Sequence, residues 1–200
     1  RKLGYKSTGK ALARQAQVPE VPGTEGLVDK NFMGEAKKIG FPVMVKAAAG
    51  GGGKGMRLVR DAAELETQLK AAQAEAQAAF GDGSVFIERF IEHPRHVEIQ
   101  IAADKRGNVV AFPERDCTVQ RRHQKLLEES PSPAVTPETR RLMQEAAVRL
   151  AKAADYSNVG TVEFLLDTDG KFYFIEVNTR LQVEHPVSET VTGLDLVAAQ

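Results

Sequence analysis

Two periods of apolar and polar residues alternate along this chain of 200 residues, and together they predict a mixture of helices and strands. One apolar stripe recurs at helical spacing, formed by Leu65, Leu69, Ala72, Ala76 and Phe80. Asp61, with Glu64 three residues later, predicts the start of this helix as a capping-box-like pair, and Gly81 predicts its end. Shorter helices are expected after a cap at Ser7 and before Gly40.

A further helix and a set of short strands complete the predicted elements. Thr136 followed by Pro137 predicts a capped helix with Leu142, Ala146 and Leu150 on one side. Apolar runs bounded by turn residues predict strands at residues 41–46, 56–59, 85–90, 96–102 and 108–112. Segments 161–167 and 172–178 flank a turn and predict an antiparallel hairpin.

Composition excludes several classes of protein. Lys plus Arg and Asp plus Glu number 27 each, so the chain lacks the basic surplus of a dedicated nucleic-acid or anionic-membrane binder. No apolar stretch approaches the roughly 20 residues that span a bilayer. Lone Cys117 cannot form an internal disulfide, which favours a reducing compartment: the cytoplasm, or the mitochondrial matrix in a eukaryote. The missing initial Met and a helix-like start at 194–200 indicate a piece of a longer protein.

A glycine-rich loop at residues 49–55 is the first candidate binding element. A dinucleotide-binding motif needs a helix directly after the loop, whereas a strand is predicted here. A Walker-type loop needs Ser or Thr after the lysine, but Gly55 follows Lys54, and the Asp-Phe-Gly motif of protein kinases is absent. We therefore expect a glycine hairpin that brings backbone N–H groups over phosphates, in preference to a mobile surface turn.

The predicted hairpin carries two carboxylates, Glu163 and Glu176. If Thr168 and Asp169 form a two-residue loop, Glu163 becomes a diagonal neighbour of Glu176 on the same face. A loop one residue longer or shorter would place them on opposite faces. Facing carboxylates among apolar residues repel unless a cation lies between them, and Mg²⁺ is the natural candidate, with a solvent-facing pair as the alternative.

Two further segments concentrate polar chemistry. In the loop after the hairpin, Arg180 offers a planar fork for a small oxyanion and Glu184 is a candidate general base. Segment 120–125 is strongly basic, but acidic Glu128 and Glu129 follow it without interleaved aromatic residues. A solvated turn is therefore favoured over a nucleic-acid patch there.

Five segments together strongly resemble the ATP-grasp core of biotin carboxylase, the component shared by acyl-CoA carboxylases and pyruvate carboxylase. They are KAAAGGGGKGMR at 46–57, PRHVE at 94–98, ERDCTVQRRHQK at 114–125, GTVEF at 160–164 and EVNTRLQVEHP at 176–186. The resemblance spans residues 1–200 and implies an α+β ATP-grasp fold, in which a mobile glycine-loop lid of about residues 19–90 closes over ATP on an antiparallel sheet. The implied reaction is carboxylation of carrier-linked biotin by bicarbonate and ATP through carboxyphosphate, with Mg²⁺ or Mn²⁺.

The same resemblance implies roles for individual residues. The implied nucleotide ligands are Lys6, Lys46, Gly50, Gly51, Gly52, Gly53, Gly55, Glu88, Phe90, Ile91, His96, Gln120 and His123. The implied metal ligands are Glu163 and Glu176, with Asn178 close to them. The implied bicarbonate site consists of Arg180, Gln182 and the Val183 backbone, with Glu184 as the base and Lys125 contacting both the γ-phosphate and bicarbonate.

The family pattern also bears on partners and on rival functions. Tyr5 stands where many members carry Asp, and the family's flanking N- and C-terminal domains are absent from these 200 residues. The resemblance implies a biotin carboxyl carrier domain, a carboxyltransferase component and a homodimer as partners, and neither nucleic acid nor membrane. The rival functions are another carboxyphosphate-forming ATP-grasp ligase, such as the carbamoyl-phosphate synthetase large chain, and an ATP-binding module without turnover of its own.

Overall fold

A computed structural model describes residues 6–24, 27–28, 31–49, 55–121 and 124–200, with side chains from residue 9 onward. The chain divides into two compact units, one formed by Arg1–Glu20 with Glu92–Gln200 and the other by Val21–Ile91. In each unit helices pack on antiparallel strands, which confirms the predicted α+β class. No described helix combines the length and the apolar character needed to cross a membrane.

The helices and strands of the described residues follow one another in this chain order: α1 Lys6–Gln15, α2 Phe32–Ile39, β1 Val43–Ala47, β2 Met56–Val59, α3 Ala62–Phe80, β3 Val85–Arg89, β4 Arg95–Ala103, β5 Val109–Arg121, β6 Gln124–Glu129, α4 Pro137–Ala153, β7 Asn158–Leu166, β8 Phe172–Asn178, α5 His185–Thr192 and α6 Leu196–Ala199. Helix α1 already includes Lys6, the first described residue, so the cap expected at Ser7 is wrong by at least two residues. Most remaining predicted elements recur within a few residues of their expected bounds.

The smaller unit is a three-stranded sheet in the order β2-β1-β3, covered by α2 and α3. Asp61 caps α3 as expected, because its carboxylate accepts from the backbone N–H groups of Ala63 and Glu64. The predicted stripe is buried from Leu65 to Ala76, and its residues up to Ala72 pack in one cluster with apolar residues of the three strands. Burial of this stripe, more than helix propensity, stabilises α3 on the sheet.

The larger unit is built on a five-stranded antiparallel sheet in the order β6-β5-β4-β7-β8. Helices α1 and α4 contribute to the apolar core against one face of this sheet. Thr136 caps α4 as predicted, accepting from the Thr139 N–H. Leu142 was expected on the buried side but is 39% exposed, because the stripe of α4 begins one residue later. The buried residues of α4 are Met143, Ala146, Ala147, Leu150 and Ala151.

Strand β5 is much longer than its apolar residues predicted. It extends to Arg121 and pairs with β6, so the two ends of the basic segment lie on paired strands, with Gln120 opposite Lys125 and Arg121 opposite Gln124. Residues 122 and 123, on which the expected solvated turn depends, lie outside the described residues. The extension was missed because Glu114, Arg115 and Asp116 are charged, and a search for apolar runs stops at such residues. All three are nevertheless buried.

The β7–β8 hairpin departs from the predicted register in two places. Its loop has three residues, because Asp167 N–H donates to Lys171 O and Gly170 takes a left-handed conformation with φ of 83°. A register shift then occurs between Glu163 and Phe164, so that Glu163 lies directly opposite Glu176. The expected diagonal pairing is therefore wrong, but the two glutamates do share a face because the two shifts add to an even number.

Candidate active site

A row of charged residues crosses four neighbouring strands of the five-stranded sheet. Arg115 of β5 lies opposite Glu98 of β4, which lies opposite Glu163 of β7, which lies opposite Glu176 of β8. Directly paired residues point to the same face of a sheet. Three adjacent carboxylates thus line one face, with one guanidinium at the end of the row.

The sequence of β4 explains why this face is polar. His96, Glu98 and Gln100 alternate with Val97, Ile99 and Ile101, so one face of the strand is polar and the other apolar. Such alternation is typical of a strand with one face toward solvent. Here Glu98 and Gln100 are fully buried, so their polar atoms need partners inside the protein.

Lys125 supplies the central positive charge of this face. Its Nζ donates to Glu98 Oε2 at 2.5 Å, to Glu163 Oε1 at 3.0 Å and to Glu184 Oε1 at 2.6 Å. Burial opposes the charged form, but the charges of Glu98 and Glu163 outweigh it and raise the pKa of Lys125. The ammonium therefore stays protonated and joins β6 to the carboxylates of β4 and β7 and to the loop after β8.

Glu163 is the most heavily bonded carboxylate of the cluster. Its Oε1 accepts from Asn178 at 2.7 Å and Gln182 at 3.2 Å as well as from Lys125, and its Oε2 contacts His96 Nε2 at 2.8 Å. Burial opposes ionisation, but the hydrogen bond and charge of His96 and the charge of Lys125 lower the pKa of Glu163 to about 2. Glu163 is accordingly a carboxylate at neutral pH.

The hydrogen bonds of His96 define its tautomer. Gln120 Nε2 lies 2.9 Å from His96 Nδ1 and also donates to the Cys117 carbonyl at 2.9 Å. An amide nitrogen only donates, so in neutral His96 Nδ1 accepts and Nε2–H donates to Glu163. The structure thus brings His96 and Gln120 together with Glu163 on one face of the sheet.

The loop between β8 and α5 contributes unequally to the cluster. Gln182 is buried and Glu184 reaches Lys125, whereas Arg180 is exposed and Val183 is 91% exposed. Arg180 Nη1 donates to the neighbouring Leu181 carbonyl. Burial opposes ionisation of Glu184, but hydrogen bonding to Lys125 lowers its pKa. Glu184 is therefore ionised and can accept a proton.

The donor atoms of the cluster suit a hard divalent cation. Among the described residues, His96, Glu98 and Glu163 offer ligand atoms within 4.8 Å of one another, as do Glu98, Cys117 and Glu184. Glu176 faces Glu163 across the hairpin. Carboxylate oxygens predominate in this set, and oxygen is the ligand that Mg²⁺ prefers. The residues present thus fit a magnesium ion, which would offset their excess negative charge.

The remaining predicted residues belong to the smaller unit or fall outside the described residues. Lys46 Nζ donates to buried Glu88 Oε2 at 2.6 Å, and the Phe90 N–H donates to the Pro42 carbonyl. Gly55 has a φ of 69°, and a Cβ there would approach Ala47 Cβ to 2.7 Å, so this position requires glycine. The side chain of Lys6, the glycines at 50–53 and His123 lie outside the described residues.

Arg115 and Glu98 are the functional candidates that sequence reasoning missed. Both lie within the motifs that carry the resemblance, but neither was assigned a role, because each lies in a strand whose charged residues look solvent-facing. The available signal was the strict alternation of β4, read together with Thr161 and Glu163 at alternate positions of β7. Two polar faces that pair across strands predict one continuous polar surface, but the alternation is the same whether that surface is buried or faces solvent.

Comparison with known proteins places this geometry in a family. The sequence profile described as carbamoyl-phosphate synthase L chain, ATP binding domain matches residues 5–200. The biotin carboxylase of a Nostoc species is 57% identical over all of this chain, which spans 45% of that protein. The chain thus spans less than half the length of this curated relative.

Solved structures agree with the sequence comparison. The biotin carboxylase of Campylobacter jejuni in its beta-gamma-ATP complex matches with a TM-score of 0.89 and 49% identity, over 98% of this chain and 44% of that one. The biotin carboxylase domain dimer of Hydrogenobacter thermophilus 2-oxoglutarate carboxylase, solved with MgADP, ADP and bicarbonate, matches with a TM-score of 0.89 and 46% identity, over 99% and 44% of the two chains. The predicted ATP-grasp fold and the resemblance to biotin carboxylase are confirmed, and the chain belongs to the family of carbamoyl-phosphate synthase L chain ATP-binding domains.

Proposed function

We propose that the protein containing this chain carboxylates carrier-linked biotin, using ATP and bicarbonate. The observation that carries the proposal is the buried cluster in which Lys125 contacts Glu98, Glu163 and Glu184. Phosphoryl transfer depends mainly on positioning and on neutralising the charge of phosphate oxygens. The protonated Lys125 provides one positive charge for phosphate oxygens. The paired carboxylates beside it suit Mg²⁺, which would provide the rest.

The larger unit would hold the reacting groups. Glu163 and Glu176 would bind Mg²⁺ or Mn²⁺ with Asn178 beside them, and the metal would supply charge neutralisation for the nucleotide phosphates. Lys125 would contact the γ-phosphate and bicarbonate. His96 and Gln120, joined by a hydrogen bond and linked to Glu163 through the imidazole, would border the nucleotide.

Bicarbonate would be bound by the loop between β8 and α5. Exposed Arg180 offers a bidentate fork, while Gln182 and the Val183 backbone complete the site. Ionised Glu184 would take the proton of bicarbonate as its oxygen attacks the γ-phosphorus and the bond to the ADP oxygen breaks. The carboxyphosphate formed would release CO₂ and phosphate, and the biotin ureido nitrogen would give its proton to that phosphate as it forms the bond to the carbon of CO₂.

Further residues would contribute contacts to the nucleotide itself. Lys6, Lys46 and the glycine loop through Gly55 would bind phosphates. Glu88, Phe90 and Ile91 would bind the adenine. Because the Phe90 N–H already donates to Pro42 O, Phe90 would offer its carbonyl to the adenine amino group.

The proposed function also involves partner domains and a second copy of the intact protein. The product, carboxylated biotin, requires a biotin carboxyl carrier domain that visits the site and a carboxyltransferase component that consumes the carboxyl group. The Hydrogenobacter relative was solved as a dimer, which supports a homodimer for the intact protein.

The test uses the intact protein and the variant Glu176→Gln. Removing one of two facing carboxylates weakens the cation site, so the Mg²⁺ concentration for half-maximal bicarbonate-dependent ATP hydrolysis should rise about tenfold or more. Glu138→Gln on α4 is the matched control, because its carboxylate is exposed and pairs only with Arg141 among the described contacts. An unchanged Mg²⁺ requirement in Glu176→Gln would overturn the metal assignment.

One rival function is favoured by the family profile itself, whose description names carbamoyl-phosphate synthase. The same assay decides between the two. Stimulation of bicarbonate-dependent hydrolysis by free biotin supports the proposal, whereas stimulation by ammonia with formation of carbamoyl phosphate supports the rival. ATP binding without any bicarbonate-dependent hydrolysis by the intact protein would contradict both.

A further inference from the structure

The guanidinium of Arg115 is fully buried, and each of its five N–H donors has an acceptor. Nε donates to Glu98 Oε1 at 2.6 Å, and Nη1 donates to Gln100 Oε1 at 2.8 Å and Ser188 Oγ at 2.7 Å. Nη2 donates to Thr161 Oγ1 at 3.2 Å and lies 3.5 Å from Gln182 Oε1. One planar side chain thus joins β4, β7, α5 and the loop before α5.

Two of these contacts lead directly to the carboxylate cluster. One oxygen of Glu98 accepts from Arg115 and the other accepts from Lys125 Nζ. Arg115 therefore orients the carboxylate that in turn orients the ammonium of Lys125. Gln182 presents its oxygen to Arg115 and donates its amide nitrogen to Glu163. Because a guanidinium only donates, it admits one orientation of the Gln182 amide.

A third contact, from Arg115 to Ser188, restrains the helix that follows the loop between β8 and α5. Ser188 is fully buried in α5, which begins at His185, directly after Glu184. His185 Nδ1 is 2.7 Å from the Gln182 carbonyl oxygen, so the start of the helix is also tied to the loop. Arg115 therefore contacts the loop segment at Gln182 and the helix that follows it.

Stability alone gives little reason for a charge in this position. Burying a guanidinium and a carboxylate has a desolvation penalty that their attraction offsets only when geometry is good, and apolar replacements of such pairs are often equally stable. Arg140 provides a comparison within the same unit: it binds Glu114 through two hydrogen bonds of 2.6 and 2.7 Å, joining α4 to β5 on the opposite face. That pair has no described contact with the carboxylate cluster.

We propose that Arg115 is a positioning residue, which sets Glu98, Gln182 and the start of α5 so that Lys125 and the loop can bind bicarbonate beside the γ-phosphate. The inference rests on the proposed function. Lysine cannot replace arginine here, because an ammonium has three donors at one point and lacks the planar fork that reaches five acceptors.

The experiment measures steady-state kinetics of the intact protein with Arg115→Lys, using ATP and potassium bicarbonate. The KM for bicarbonate should rise about tenfold, as expected for the loss of one to two hydrogen bonds to charged groups, while the KM for ATP changes less than about twofold. Arg140→Lys is the matched control. It should lower the thermal unfolding midpoint while leaving both KM values within about twofold of the unmodified protein.

A milder variant keeps the test decisive if Arg115→Lys fails to fold. Ser188→Ala removes one acceptor of the guanidinium and should raise the KM for bicarbonate about two- to fivefold. The proposal is overturned if the foldable variants lower the unfolding midpoint but move the two KM values together or not at all, as Arg140→Lys would. Failure of the proposed function would be seen separately, as absence of bicarbonate-dependent hydrolysis in the unmodified protein, and it would remove the inference with it.

Discussion

Both faces of the five-stranded sheet contain buried residues, but those of one face are apolar and those of the other are polar or charged. One face presents Val97, Ile99, Ile101, Val162 and Phe164 to a core that includes α1 and α4. The other presents Glu98, Gln100, Thr161 and Glu163, all buried as well. The same two strands therefore carry a generic hydrophobic surface on one side and a charged surface, specified atom by atom, on the other.

This difference determines how each face tolerates change. Apolar burial is non-directional and roughly proportional to area, so the apolar face should accept substitutions that conserve volume. The polar face depends on each buried charge having a partner at hydrogen-bonding distance, since an unpaired buried charge is strongly destabilising. Stability should therefore respond most to the apolar face and turnover most to the polar one.

The largest effect on stability is expected from Phe164→Ala on the apolar face. Phe164 is fully buried and makes edge-to-face contacts with Phe172 and Phe174, with ring centroids 5.4 and 6.5 Å apart. Its truncation should lower the free energy of unfolding by about 3 to 5 kcal/mol, measured by urea unfolding of the intact protein. Leu126→Ala, at a residue 61% exposed, should have almost no effect. A loss below about 1 kcal/mol for Phe164→Ala would contradict the division of roles between the faces.

The largest effect on turnover is expected from Glu163→Gln, at the residue next to Phe164 in β7 but on the opposite face of the sheet. Glu163→Gln keeps the side-chain shape but removes the charge that faces Lys125 and the proposed metal, so bicarbonate-dependent ATP turnover should fall about 100-fold. The free energy of unfolding should fall by about 1 to 3 kcal/mol, less than for Phe164→Ala, because one donor of the carboxylate loses its acceptor while Lys125 retains Glu98 and Glu184. Glu66→Gln, at an exposed residue of α3, is the control. If turnover of Glu163→Gln falls only in proportion to the fraction of protein that is unfolded, Glu163 acts only through folding.

A smaller effect with a defined pH dependence is expected at Asp116, which is buried on the Glu114 face of β5. Burial opposes its ionisation, but hydrogen bonds from Thr118, Ser132 and Arg95 outweigh it and lower the pKa of Asp116. Asp116→Asn should reduce the free energy of unfolding by about 2 kcal/mol at pH 7. Because the folded pKa lies below the unfolded value of about 3.9, this stability is present above that pH and is lost as pH falls through the folded pKa.

The pH series for Asp116→Asn therefore has a predicted form. The difference in unfolding free energy between the two proteins should stay constant from pH 7 to about pH 5 and shrink below about pH 4. Asp169→Asn, in the exposed hairpin loop, should show a smaller difference throughout. A difference for Asp116→Asn that grows on acidification would have the wrong sign for a carboxylate stabilised in its charged form.

Local sequence signals were sufficient for much of the fold. Helix α3 was predicted from the cap at Asp61, the stripe that follows and the glycine at its end. Strand β2 was predicted at its observed bounds. These elements depend on neighbours in the chain, which a single sequence displays directly.

The polar face was only partly predictable. A hairpin with a short loop placed Glu163 and Glu176 on one face, although the register that achieves this differs from the expected one. The resemblance indicated His96, Lys125 and Glu184 as site residues, and their roles stay predictions.

The burial of Glu98 and Arg115 had no local signal of its own. It depends on contacts with Lys125, Gln182 and Ser188, which are 27 to 73 residues away along the chain. A buried polar strand and a solvated one have the same alternation, so only the tertiary partners distinguish them.

The β7–β8 hairpin has a consequence for how its length can change. Relative to a two-residue loop, the third loop residue shifts the pairing by one position and the irregularity between Glu163 and Phe164 shifts it by one more. Glu163 and Glu176 share a face only when the total shift is an even number of residues, because side chains alternate between the two faces with a period of two. A single insertion or deletion between Glu163 and Glu176 would exchange the two faces at the end of β8, so tolerated length changes in this segment should occur in pairs.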